Sequence, residues 1–210
     1  MKKVIFFDFW GTLVENGIPS PIKQVKNALG IRLPFSEYVK RMESAMMTKN
    51  FSSLKEAFVA VCEEFEINPA EYLIDRLIGL WNKSWMLATL YEETEEVLAE
   101  LQKDYQIVLV SNTDCVSIKS VFEKFPLKKY FTTIYLSCDL GNIKTDKEFL
   151  NTIMADLKIK AEDCIFVGDS ILSDMVAAKN AGIDGILIDR KNSRDYEPKI
   201  ASLRELKSLL

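Results

Sequence analysis

Short apolar runs of strand length, each closed by a turn signal and followed by a helix-period segment, constrain this chain more than any other feature. They occupy residues 3–9, 106–110, 132–136, 163–167 and 185–188 and are rich in β-branched and aromatic side chains. Amphipathic segments at 94–104, 116–125, 146–157, 172–181 and 202–210 separate or follow them. Alternation of this kind predicts an α/β fold, a parallel sheet with helices on both faces, because parallel strands need crossovers and bury both sides. Ligands on such a sheet bind beyond the C-terminal strand ends, where Asp8, Ser111 and Asp169 stand.

The rhythm breaks over 17–85, which offers four helical patterns and no strand. They run over 20–29, 36–49, 53–65 and 69–85, with Pro21, Pro34 and Pro69 near their starts and Ser36 and Ser53 as expected caps. The simplest organisation is a catalytic core from 1–16 and 87–210 with an all-helical domain, 17–86, inserted after the first strand. Met46, Met47, Trp81, Trp85 and Met86 are expected in the core of that bundle.

Composition removes several function classes. The 210-residue chain has no histidine, which excludes a Ser-His-Asp triad and any His-ligated metal. Its four cysteines are scattered, so Cys62, Cys115, Cys138 and Cys164 are expected as small buried residues in a reducing cytosol. The net charge of −4 comes without a basic tail, which argues against nucleic-acid binding. Asp8 interrupts the apolar N-terminus too early for a secretion signal, and no run is long enough to span a bilayer. A cytoplasmic protein without membrane association is expected. Its chemistry must rest on carboxylates, lysine and hydroxyls.

Four pieces carry that chemistry. Asp8-Phe9-Trp10-Gly11-Thr12-Leu13 ends the first strand. Val108-Leu109-Val110-Ser111-Asn112-Thr113 ends the second in a hydroxyl. Lys144 lies in Gly141-Asn142-Ile143-Lys144-Thr145-Asp146, before a helix, and Val167-Gly168-Asp169 leads to Asp174 five residues on. Each piece has a plainer account: Ser111 and Asn112 as a turn, Lys144 as a solvated lysine, Asp169 as turn chemistry, Asp174 as a cap near Ser173.

In this order the pieces resemble the four motifs of the haloacid dehalogenase superfamily, and the insert resembles its small helical cap. The resemblance spans essentially the whole chain and implies a Rossmann-like doubly wound core. It further implies catalytic roles for Asp8, Ser111, Lys144 and Asp174, and substrate contacts from Trp10, Thr12, Ser111, Asn112 and Lys144. Mg²⁺ would be held by Asp8, Asp169 and the backbone carbonyl of Trp10. Charge agrees: a phosphoryl group nears three carboxylates only if cations offset them, and Lys144 alone is too few.

Position 10 departs from the phosphatase pattern, where an Asp protonates the leaving group; indole cannot. The dehalogenases of the superfamily also carry an aromatic residue there and a Ser-Asn pair like Ser111-Asn112. They generally lack a carboxylate matching Asp169, and no arginine matches their substrate clamp. Arg32, Arg41 and Arg76 fall in the insert. The expectation is a magnesium-dependent phosphatase acting on a small phosphorylated molecule through an aspartyl-phosphate. The alternatives are a 2-haloacid dehalogenase-like hydrolase using an aspartyl ester, and a non-catalytic domain that binds magnesium and phosphate.

Overall fold

A computed structural model describes residues 2–210; Met1, the first residue of the expected core segment, lies outside them. The chain runs β1 (Val4–Phe7), β2 (Val14–Glu15), α1 (Pro21–Ala28), α2 (Phe35–Met47), α3 (Leu54–Glu64), α4 (Glu71–Met86), β3 (Thr89–Leu90), α5 (Thr94–Leu101) and β4 (Gln106–Ser111). It continues through α6 (Ser117–Lys124), β5 (Thr133–Leu136), α7 (Ser137–Leu140), α8 (Phe149–Leu157), β6 (Cys164–Gly168), α9 (Val176–Asn180), β7 (Asp184–Ile188) and β8 (Lys199–Ile200).

Six strands form one parallel sheet in the order β5-β4-β1-β6-β7-β8. The two-residue side-chain period sorts each strand between two cores. Ile5, Phe7, Ile107, Leu109, Ile165, Val167, Ile186 and Ile188 face one side, with residues of α5 and α6. Val4, Phe6, Val108, Val110, Phe166 and Leu187 face the other, with Phe149, Ile153 and Met175. This is the doubly wound α/β architecture with an inserted helical unit. Because β4 and β6 flank β1 and leave in opposite directions, a crevice opens at their shared C-terminal end.

The insert buries a third core of its own, centred on Tyr38, Met42, Met46, Phe58, Ile74 and Leu77. Ser53 caps α3, accepting from the Glu56 N–H at 3.2 Å. Ser36 does not cap α2; the helix already begins at Phe35, after Pro34, so Ser36 lies within its first turn. Met46, Met47 and Trp81 are buried in the bundle as expected, whereas Met86 ends α4 and is exposed, and Trp85 packs on the sheet-side core. A two-stranded antiparallel ribbon, β2 with β3, joins insert to sheet; its strands are too short to show a period in sequence. The C-terminal segment is a 3₁₀ helix, Leu203–Leu209, entered through a Ser202/Glu205 capping box. No helix among the described residues is long and apolar enough to cross a membrane.

One cysteine expectation is corrected. Cys62 and Cys164 are free and buried, but Cys115 and Cys138 form a disulfide. Parallel pairing of β4 with β5 sets Ser111 opposite Leu136, so the turn after β4 and the start of α7 bring two cysteines separated by 23 residues to a Cα–Cα distance of 5.8 Å. Linear spacing conceals that proximity. Denatured, unreduced protein is therefore expected to show two titratable thiols and reduced protein four; four before reduction would remove the disulfide.

Candidate active site

β1 delivers Asp8 as its continuation: the Asp8 N–H donates to the Val167 carbonyl at 2.9 Å, holding the residue against β6. Its carboxylate points into the crevice. There Lys144 Nζ donates to Asp8 Oδ1 at 2.6 Å and to Asp174 Oδ1 at 2.5 Å, bridging the two. Lys144 is 3% exposed, so the solvated-lysine account fails. Asp174 does not cap a helix. Ser170 takes that place, accepting from the Ser173 N–H ahead of a single π-type turn, Ile171–Met175. Asp174 Oδ2 instead accepts from the Ser170 N–H at 2.9 Å.

Asp169 completes the cluster: one oxygen each from Asp8, Asp169 and Asp174 lie within 4.8 Å of one another. Two glycines allow this. Gly11 has φ +78°, and a Cβ there would stand 2.4 Å from Asp169 Oδ2; a Cβ on Gly168 would stand 2.3 Å from Asp174 Oδ2. Backbone at these turns makes room for carboxylates that any side chain would displace.

The electrostatics follow from three acids around one ammonium. Burial raises the Asp8 pKa to about 6 even though Lys144 opposes it, with Asp174 adding to the rise. Burial, then Asp174 and Asp8, raise Asp169 to about 8 against Lys144 and Arg194. Burial alone would lower Lys144, but Asp174 and Asp8 overcome it and hold the ammonium above the ordinary lysine range. Raised carboxyls of this kind mark a site short of positive charge. Its donors are all hard oxygens, which suits a small divalent cation.

The other sequence-predicted residues take distinct positions. Trp10 borders the cavity, edge-on to Phe9, and its Nε1–H reaches Thr113 Oγ1 at 3.4 Å. Thr12 is fully buried behind Asp8, donating to its Oδ2 at 3.4 Å. Ser111, also fully buried, ends β4 with its hydroxyl 3.5 Å from the Asn112 carbonyl. Asn112 spans the crevice: Oδ1 accepts the Lys144 N–H at 2.9 Å, and Nδ2 donates at 2.8 Å to Glu43 of α2. A second bond between insert and sheet joins Trp81 Nε1–H to Asp114 Oδ2 at 2.8 Å. Glu43 and Asp114 are not among the residues singled out from the sequence, and Trp81 is expected there only as bundle core.

Insert and sheet enclose a cavity of about 400 Å³ whose wall includes Asp8, Trp10, Glu43, Trp85, Lys144 and Asp169. The insert arginines do not form that wall. Arg41 pairs with Glu64 and stacks 4.7 Å over Phe65, Arg32 borders the same separate hollow, and Arg76 is exposed.

Residues 5–188 match the family described as haloacid dehalogenase-like hydrolase. Among curated proteins the chain is similar to a phosphoglycolate phosphatase of Vibrio parahaemolyticus, 27% identical over 187 residues that cover 86% of this chain and 80% of that one. Among solved structures it is similar to a 2-haloacid dehalogenase from Pseudomonas syringae, TM-score 0.67 and 18% identity, covering 100% of this chain and 98% of the other. It is also similar to a Bacteroides thetaiotaomicron enzyme of the same family in complex with magnesium and inorganic phosphate, TM-score 0.62 and 21% identity, covering 94% and 98%. The two structural likenesses support the fold, and the match across most of the sequence decides the assignment: this chain belongs to the haloacid dehalogenase-like hydrolase family.

Proposed function

We propose that this hydrolase is a magnesium-dependent phosphatase of small phosphorylated molecules, with Asp8 as the nucleophile and residues 17–86 as its cap. The observation that carries the reading is the Lys144 ammonium bonded to both Asp8 and Asp174 beside Asp169. A site with three carboxylates suits a substrate that arrives with a divalent cation; a carboxylate substrate arriving alone would meet net repulsion. The phosphatase relatives and the magnesium and phosphate bound to the Bacteroides enzyme support the same reading. The cavity volume falls in the range of small-molecule sites.

Asp8, Asp169 and the Trp10 carbonyl would hold the magnesium, which when bound supplies charge to screen the phosphoryl oxygens from the carboxylates. The chain's own groups do the rest. Lys144 keeps the nucleophilic oxygen of Asp8 ionised and oriented, and its ammonium also offsets charge on the transferring group. Ser111 and the backbone N–H groups of the β4 loop position the phosphoryl oxygens. Asp8 attacks phosphorus, the bond to the leaving oxygen breaks, and water then cleaves the aspartyl-phosphate to regenerate Asp8 and release phosphate. Asp174 fixes Lys144 throughout.

Asp8→Asn is expected to lower magnesium-dependent hydrolysis of p-nitrophenyl phosphate by at least about 10⁴-fold in a steady-state assay. Halide release from 2-haloacids that persists under chelation would instead establish the dehalogenase chemistry that Trp10 permits.

A second expectation concerns stability. Asp8 and Asp169 have folded-state pKa values above their ordinary ones, so the stability they contribute is complete below the carboxylate range and is lost as pH rises toward about 8. Metal-free protein should therefore show a falling thermal midpoint over that window, and Asp169→Asn should flatten the fall. At pH 8, saturating magnesium at about 100 times its Kd should restore about 2.7 kcal/mol, several degrees in Tm, to the wild type and little to Asp169→Asn. Equal shifts in both proteins, read by differential scanning fluorimetry, would place the ion elsewhere.

A further inference from the structure

We propose that Glu43, carried on α2 of the insert, is the acid that position 10 lacks: its carboxyl protonates the leaving-group oxygen as Asp8 takes the phosphoryl group. The proposal rests on the phosphatase reading and concerns a step that reading leaves without a proton source. Trp10 offers only an indole N–H, already turned toward Thr113.

The other acids on the cavity wall are engaged. Asp8 is the nucleophile and Asp169 stands at the cation corner. Asp174 is taken by Lys144 and the Ser170 N–H. Asp114 accepts from Trp81 Nε1 and from the Val116 and Ser117 N–H groups at 2.8, 3.1 and 2.7 Å. Glu43 differs: among the described residues it has no ion-pair partner, and its one side-chain bond is the neutral Asn112 amide on Oε2. That leaves Oε1 for the cavity. The residue is 8% exposed and sits in the stripe Val39, Glu43, Met47, at four-residue spacing, that α2 turns toward the cavity.

Burial favours the protonated form and outweighs the cation and amide that face it. Burial raises its pKa to about 7, with Asp174 and Asp8 contributing to the rise, while Lys144 and the Asn112 bond act against it; Lys40, one turn earlier on α2, borders the same cavity. A carboxyl poised near neutrality suits general acid catalysis, and an unprotonated one would repel the incoming phosphate.

The protons balance over two steps. In the first, the bond from Asp8 to phosphorus forms, the bond from phosphorus to the leaving oxygen breaks, and that oxygen takes the Glu43 proton. In the second, water attacks phosphorus, Asp8 departs as carboxylate, and the proton lost by water returns to Glu43.

Glu43→Gln tests this, since the amide oxygen can still accept from Asn112. Single-turnover release of the leaving group is measured with magnesium for an alkyl phosphate and for p-nitrophenyl phosphate, whose leaving group departs without a proton. The substitution should slow alcohol release by about 10²–10⁴-fold and nitrophenolate release by less than about tenfold. Wild-type alcohol release should decline as pH rises through about 7, and the variant should lose that limb. Adding Trp10→Asp to Glu43→Gln should recover much of the alkyl rate by placing an acid two residues after the nucleophile. Equal slowing of both substrates, no slowing of either, or no recovery in the double variant overturns the assignment of Glu43 and leaves the phosphatase reading standing. Absence of magnesium-dependent nitrophenolate release from the wild type overturns both.

Discussion

Much of the structure follows from one requirement, that Lys144 reach Asp8 and Asp174 at 2.6 and 2.5 Å in a place nearly closed to water. Two carboxylates less than 4.8 Å apart repel by about 3–4 kcal/mol at an effective dielectric of about 20, and a third adds its own share. A single buried ammonium between two of them reverses the balance locally, yet only if nothing else occupies the space. Hence a glycine stands before Asp169, another stands at position 11 in a left-handed turn, and the Asp174 loop folds back so that the Ser170 N–H takes the second oxygen. Folding stability and reactivity are opposed here: the charge arrangement that strains the metal-free site is what makes it receptive to a cation-bearing anion.

The sheet supplies the rigidity this needs. Asp8, Ser111 and Asp169 leave three adjacent parallel strands whose side chains are packed on both faces, so their relative positions are set by backbone hydrogen bonds rather than by loop conformation. The insert is attached differently, through the short β2–β3 ribbon and the contacts Trp81–Asp114 and Asn112–Glu43. Asn112 belongs to both systems, since one end of its amide holds the Lys144 backbone and the other holds the cap.

What the sequence revealed and what it hid divide along physical lines. The strands were legible because a strand buried on both faces must be apolar throughout, and Asp8 and Asp169 stood out where such runs end. Ser111 also ends such a run but is a common turn residue there, and Lys144 became visible only through its order relative to those ends. Glu43 was hidden because residues 36–49 present themselves as a bundle helix through Met46 and Met47; the stripe Val39, Glu43, Met47 sets a carboxylate between two apolar residues, which is the signal the sequence offers. The Cys115–Cys138 pair was hidden for another reason, since strand order rather than spacing brings the segments after β4 and β5 together. Ser36 falls two residues inside the helix rather than at its cap because the helix already starts after Pro34.

Placing the acid on the cap changes what cap position means chemically. An Asp at position 10 would ride on the same turn as the nucleophile and be present whatever the cap does. A carboxyl on α2 is in place only when the insert sits on the sheet: the Asn112 bond orients it and pulls its pKa down, while burial beneath the seated insert raises it by more. Departure of the cap would hydrate Glu43, lower its pKa and remove the proton together with the residue. Leaving groups that need protonation would then be cleaved only under a seated cap, while those that depart unaided would be less dependent on it. Trp10 contributes an apolar surface to the cavity wall beside Asp8, at the place where an acid on the nucleophile's own turn would stand, and so leaves the proton to be supplied from the insert.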